Sequence, residues 1–157
     1  MPTAQAQLDG FIAKYSPEVA KLARAAIARM RKLLPAAQVL VYDNYNALAV
    51  GFGPNERASG IVFSIACYPR WVSLFFAKGV GLADPHKRLK GSGSTVRHVV
   101  LTAVDVLDDP QISELMQQAL ARCGASLQAG PRAAIVIKSV SVRQRPRRPA
   151  RKTVDKK

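Results

Sequence analysis

The stretch GIVFSIACYPRWVSLFFAKGVGLADPHKRLKGSGSTVRHVVL, residues 60–101, decides the fold. Ile61, Phe63, Ile65 and Cys67 alternate with Val62, Ser64, Ala66 and Tyr68, and Pro69-Arg70 turns the chain. Val72, Leu74 and Phe76 then alternate with Trp71, Ser73 and Phe75. Side chains along a strand point to opposite faces with period two, so both runs predict strands with one aliphatic face each. A connection this short implies antiparallel pairing. Further on, the spacing predicts a short helical turn from Asp84-Pro85 through Leu89, the loop Gly91–Thr95, and a fifth strand over 96–102.

Toward the N-terminus, Val39–Tyr42 and Ala47–Phe52 read as two more strands around Asp43-Asn44 turn chemistry. Before them, Ser16-Pro17-Glu18 is a helix start, with a capping hydroxyl, a proline at the first helical position and an acid at the positive end of the dipole. Val19, Leu22, Ala23, Ala26, Met30 and Leu33 keep helical spacing, and Pro35 stops the helix. Residues 1–10 read as frayed, with a short first helix over 8–15.

Toward the C-terminus, Asp108-Asp109-Pro110 starts another helix, whose buried stripe is Ile112, Leu115, Met116, Ala119 and Leu120. Gly124 is placed as its left-handed cap. The β-branched run 133–142 supplies an edge strand. The fold expected is α+β: a curved antiparallel sheet of about five to six strands against N- and C-terminal helices, in one domain over residues 1–142. Residues 143–157 are expected to form a basic, disordered tail.

Charge follows that division. Of the net +14, most sits at the end: from Lys138 to Lys157 there are nine Lys/Arg against Asp155 alone. The tail therefore reads either as a non-specific nucleic-acid contact through counterion release or as a solubilising segment. It has no aromatic interleaving and no base-reading module, which argues against sequence-specific recognition. Cys67 and Cys123 have no metal-type spacing and read as two buried, reduced thiols. No apolar run approaches the ~20 residues needed to span a bilayer, so a cytoplasmic location without membrane contact is expected.

Two places have a chemical argument for a ligand. The non-aliphatic sheet face collects Ala47, Ala49, Gly51, Ser64, Ala66 and Ser73, bordered by Tyr68, Trp71 and Phe75. Small residues flanked by aromatics make a trough, which suits a ligand, a second copy of the chain in a homodimer, or a covering C-terminal segment. The second place is the loop Lys90, Gly91, Ser92, Gly93, Ser94 with Arg97 and His98. Glycine-rich backbone amides with flanking cations can hold an anion, although the loop enters a strand rather than a helix and is no phosphate-binding loop of the nucleotide-hydrolase kind. The bland alternative is a tight turn with solvated neighbours.

Catalytic constellations are absent from the pattern: no Ser or Cys stands beside a base with a third orienting group. His86 and His98, with Asp84 and Asp105, lack a spacing that demands a metal. A non-catalytic binding module with no cofactor and no resident metal is therefore expected, its ligand an anion or small metabolite. The alternative is a polyanion-associated accessory protein acting through the tail.

The runs VYDNYNALAVGF (41–52), SIACYPRWVSLFF (64–76), LADPHKRLKGSGSTVRHVVL (82–101) and LDDPQISELMQQAL (107–120) resemble the YdhG-like domain-of-unknown-function family. The resemblance covers about residues 8–123, and Leu-x-Gly-x-Gly-x-x-x-Arg-His is its most specific element. It implies a compact α+β fold of helices against a curved antiparallel sheet, with no established activity for most members. One branch is frataxin-like in fold and associated with intracellular iron handling. That role needs an acidic ridge, because hard iron ions prefer carboxylate oxygens. Here the chain departs from the pattern: the corresponding helix carries Glu18 against five cations, and the next strand adds only Asp43.

Overall fold

The computed structural model describes residues 2–149 of the 157-residue chain. Three helices pack on one side of a six-stranded sheet. The helices are α1 (Ala4–Ala13), α2 (Pro17–Leu33) and α3 (Pro110–Cys123). The strands are β1 (Gln38–Asp43), β2 (Leu48–Gly53), β3 (Phe63–Cys67), β4 (Val72–Phe76), β5 (Arg97–Leu101) and β6 (Ile135–Val140), in the spatial order β5-β4-β3-β2-β1-β6.

The helix ends follow the local chemistry. Thr3 caps α1 by accepting from the Ala6 N–H, so the first helix begins at Ala4 and residues 4–10 are helical rather than frayed. Ser16 accepts from the Val19 N–H ahead of Pro17, and α2 closes at Leu33 beside Pro35. Asp109 accepts from the Gln111 N–H to cap α3, and Gly124 ends it with φ 75°. A left-handed residue there costs a side chain steric energy that glycine avoids.

Period two sorts the strands into two faces. Val50, Phe52, Phe63, Ile65, Leu74 and Phe76 are fully buried and join Ala23, Ala26 and Met30 of α2 and Ile112 of α3 in a single core. Phe63 and Phe76 meet edge-to-face at 5.4 Å across the β3–β4 pair, the arrangement that ring quadrupoles favour. From β1 to β5 every pairing is antiparallel.

The sixth strand differs. β6 runs parallel to β1, with Val39 opposite Ile135 and Val41 opposite Ile137, so the sheet is mixed rather than purely antiparallel. A parallel neighbour requires a long crossover, and here α3 and the segment after it supply one. That segment is steered home by backbone bonds from Ala36 to Leu127 and from Ala133 to Pro35. The register shifts between Val41 and Tyr42, leaving Lys138 as an extra residue facing Glu56 at 4.0 Å.

Two further expectations change. Residues 84–89 form one turn, not a helical segment. The Asp84 carboxylate accepts from the Arg88 and Leu89 N–H groups, both at 2.9 Å, and such side-chain bonding competes with helix propagation. The chain also continues as packed structure past Val142: Gln144 donates to the Asp43 carbonyl, and Arg147 is only 6% exposed. The part of the basic tail from residue 150 onward lies outside the described residues.

Candidate functional site

The helices bury one face of the sheet; the other carries the trough. Ala47, Ala49, Ser64 and Ala66 form its floor, Tyr45, Tyr68, Phe75 and Val96 part of its rim, and the concavity measures about 620 Å³. Cross-strand register explains the shape. Ala49 stands opposite Ala66, and Gly51 opposite Ser64, which in turn faces Phe75. Small side chains in the middle strands therefore sit between larger ones at the margins. Ile61 covers Gly51 so closely that an added Cβ would approach its Cδ1 to 2.7 Å.

Two aromatic pairs flank β4 on this face. Tyr68 and Trp71 stack across the β3–β4 turn with centroids 4.8 Å apart and planes at 18°. Phe75 and His98 are register partners, their rings 5.1 Å apart. Trp71 stays 43% exposed. Between the pairs, Ser73 is fully buried and its hydroxyl has no hydrogen-bond partner. Of the predicted trough residues, Tyr68 and Phe75 line the concavity, whereas Trp71 stacks on Tyr68 and lines the neighbouring groove beside α2. His98, expected to belong to the anion loop, stands against Phe75.

The loop Gly91–Val96 is closed by paired backbone bonds between Lys90 and His98, at 2.8 and 2.9 Å. Arg97 turns back into it and donates to the Gly93 and Val96 carbonyls at 2.6 and 2.7 Å. An anion would compete there with two carbonyl oxygens for the guanidinium. Nearby, Arg88 is engaged with Asp109 at 3.0 Å and with Gln111. Lys87 and Lys90 carry no ion pair among the described residues. Ser92 and Ser94 are exposed.

The acidic cluster near α3 is committed to structure. Asp108 pairs with Arg29 and Asp109 with Arg88. The Gln111 amide and the Arg88 guanidinium hold the Asp109 carboxyl below its usual range. Among the described residues, no three His, Cys, Asp or Glu side chains converge as a metal site would require. No helix among them is long and apolar enough to cross a membrane.

Sequence reasoning missed one cluster. Asp43 is fully buried and accepts from Arg147 at 2.9 Å and from Lys14 at 3.3 Å. Arg147 also donates to the Asn44 carbonyl, and its guanidinium lies 5.7 Å from the Tyr15 ring. Tyr15 donates its hydroxyl to the Cys67 carbonyl and accepts from the Leu48 N–H. Burial pushes the Tyr15 phenol up to about 12, against the opposing pull of the Leu48 amide and Arg147. This cluster fastens residues 144–148 beside Tyr45, at the rim of the trough.

Both thiols are free, as the sequence suggests, but only Cys67 is buried as expected. Cys67 is buried in the core and burial raises its pKa to about 12, whereas Cys123 is half-exposed at the end of α3. Because the thiolate is the nucleophile, a disulfide reagent at pH 8 should titrate about one thiol quickly in the native protein and the second only after denaturation. Two fast thiols would contradict the packing described for Cys67.

No family model, curated protein or solved structure matches this chain.

Proposed function

We propose that the protein is a non-catalytic binding module whose ligand, an anion or a small metabolite, docks on the open face of the sheet. The observation that carries this reading is the trough itself: a concave, helix-free surface of small side chains with aromatic margins. Ligand sites favour such concavities, apolar with a few polar groups at the edge. The activity the family resemblance brings for one branch, iron handling, is not favoured by the acids near α3, which are held in ion pairs with Arg29 and Arg88.

Thermal-shift screening against phosphates, nucleotides, short oligonucleotides and acidic metabolites tests it. A ligand at about a hundred times its Kd stabilises by about 2.7 kcal/mol, which corresponds to a rise of roughly 5–10 °C in a chain of this size. Ser64→Trp should fill the centre of the trough while keeping the fold, since aromatics suit strands, and should erase the shift. A panel without any effective compound, or a variant that responds like the parent, would overturn the reading.

The second reading, polyanion contact through the basic tail, has support from the charge concentrated after Val142. Its obvious test needs a change. Deleting 143–157 removes Arg147 and strands Asp43, so the tail is better probed by neutralising Arg151, Lys152, Lys156 and Lys157 to glutamine in the full chain. Salt-sensitive retention on a nucleic-acid column should then fall, and unchanged retention would sink this reading.

A further inference from the structure

Resting on the open-face reading, we infer that the occupant of this face is single-stranded nucleic acid, its bases stacking on the two aromatic pairs of β4 and its backbone held by cations at the margins. Flat π surfaces on a sheet, combined with positive charge along the edges, are what unpaired nucleotides bind without needing a specific sequence. Trp71, immediately before β4, and Phe75 within it are four residues apart, about 13 Å at the usual strand rise. That spacing suits two or three successive bases, the number that open sheet faces accommodate in RNA-recognition modules.

Charge supports this occupant over a neutral or cationic one. No carboxylate lines the trough. Asp9, Glu18, Asp105, Asp108, Asp109 and Glu114 lie on the helices or the 3-10 turn before α3, on the opposite layer. Asp43 is buried in its ion pair, Asp84 caps its turn, and Glu56 faces Lys138. Cations stand at the margins. Arg145 lies 6.0 Å from the Tyr45 ring, and Lys90 brackets His98 through paired backbone bonds. On the far side of Trp71, a groove of about 560 Å³ runs past Lys21 and Arg70, with Glu18 the one acid in its wall. Trp71 is thus the ridge between an acid-free trough and a largely apolar groove that carries two cations against one acid.

Trp71 is the only tryptophan, so its emission reports the site directly. Full-length protein titrated with a ten-residue oligothymidylate at about 50 mM salt should show saturable quenching, with log K falling linearly as log salt rises. Phe75→Ala should weaken binding at least fivefold, the low end for loss of one base–aromatic stack. Val100→Glu places a carboxylate on the exposed part of the same face and should weaken it without touching the core. Glutamine at Arg151, Lys152, Lys156 and Lys157 should leave the quenching in place.

Absence of binding overturns the inference. So does binding that leaves Trp71 emission unchanged, ignores Phe75→Ala and Val100→Glu, or disappears with the tail charges. Light scattering that shows a dimer dissociated by Ser64→Trp would make a second copy the occupant instead. A mononucleotide or metabolite whose thermal shift Ser64→Trp erases, with no oligothymidylate binding, would overturn this inference alone and leave the open-face reading intact.

Discussion

Replacing Arg147 with alanine should destabilise the protein by about 3 kcal/mol, because it leaves the fully buried Asp43 without its closest cation. Removing one partner of a buried pair costs about 3–5 kcal/mol, and the lower end applies here since Lys14 still faces the other carboxylate oxygen. For a chain of this length the melting temperature should drop by roughly 10 °C. The effect comes from the stranded charge, so adding Asp43→Asn to Arg147→Ala should recover a good part of the loss. A single Arg147→Ala variant within 2 °C of the parent would show that residues 144–148 are not fastened to the body as described.

Tyr15→Phe should be the next most damaging change. The phenol bridges the buried Leu48 N–H and Cys67 carbonyl at the β2–β3 pair, so removing the hydroxyl takes a hydrogen-bond partner from each. Leaving two buried backbone groups short of a partner costs about 2–4 kcal/mol. The same residue sets part of the alkaline limb. With the folded phenol at about 12, above its ordinary 10, Tyr15 contributes stability that is complete below pH 10 and lost as pH rises through 12. Cys67, raised from 9 to about 12, adds a loss that begins lower and ends in the same place. Urea midpoints at pH 8 and pH 11 should therefore differ more in the parent than in Tyr15→Phe. Equal differences in the two proteins would contradict the placement of Tyr15.

Much of this architecture was legible because local chemistry and burial agree. Ser16-Pro17 and Asp109-Pro110 mark helix starts by capping alone, and Phe63, Ile65, Leu74 and Phe76 declare a buried face by period two. The trough was legible for the same reason: Ala49, Ser64 and Ala66 occupy the alternate positions of adjacent strands. What failed to show depends on contacts distant in sequence. The run 133–142 reads as a strand, but nothing in it says that its partner is β1 or that the pairing is parallel. Asp43 looks like a turn residue and Arg147 like one more cation in a basic tail. Their pairing spans 104 residues and leaves no periodicity. Asp84-Pro85 carries a helix-start signal, yet the carboxylate bonds to Arg88 and Leu89 and closes a turn. The Phe75–His98 pair, which moves His98 from the loop to the open face, follows only from the β4–β5 register.

The open face is the central claim, and amide chemical-shift mapping of the full chain during oligothymidylate titration tests it most directly. The prediction is a contiguous set of shifts at Ala49, Ser64, Ala66, Phe75 and His98, with α3 and the core side of α2 unmoved. Shifts confined to residues after Val142, or spread over the helical layer while the trough stays silent, would contradict it.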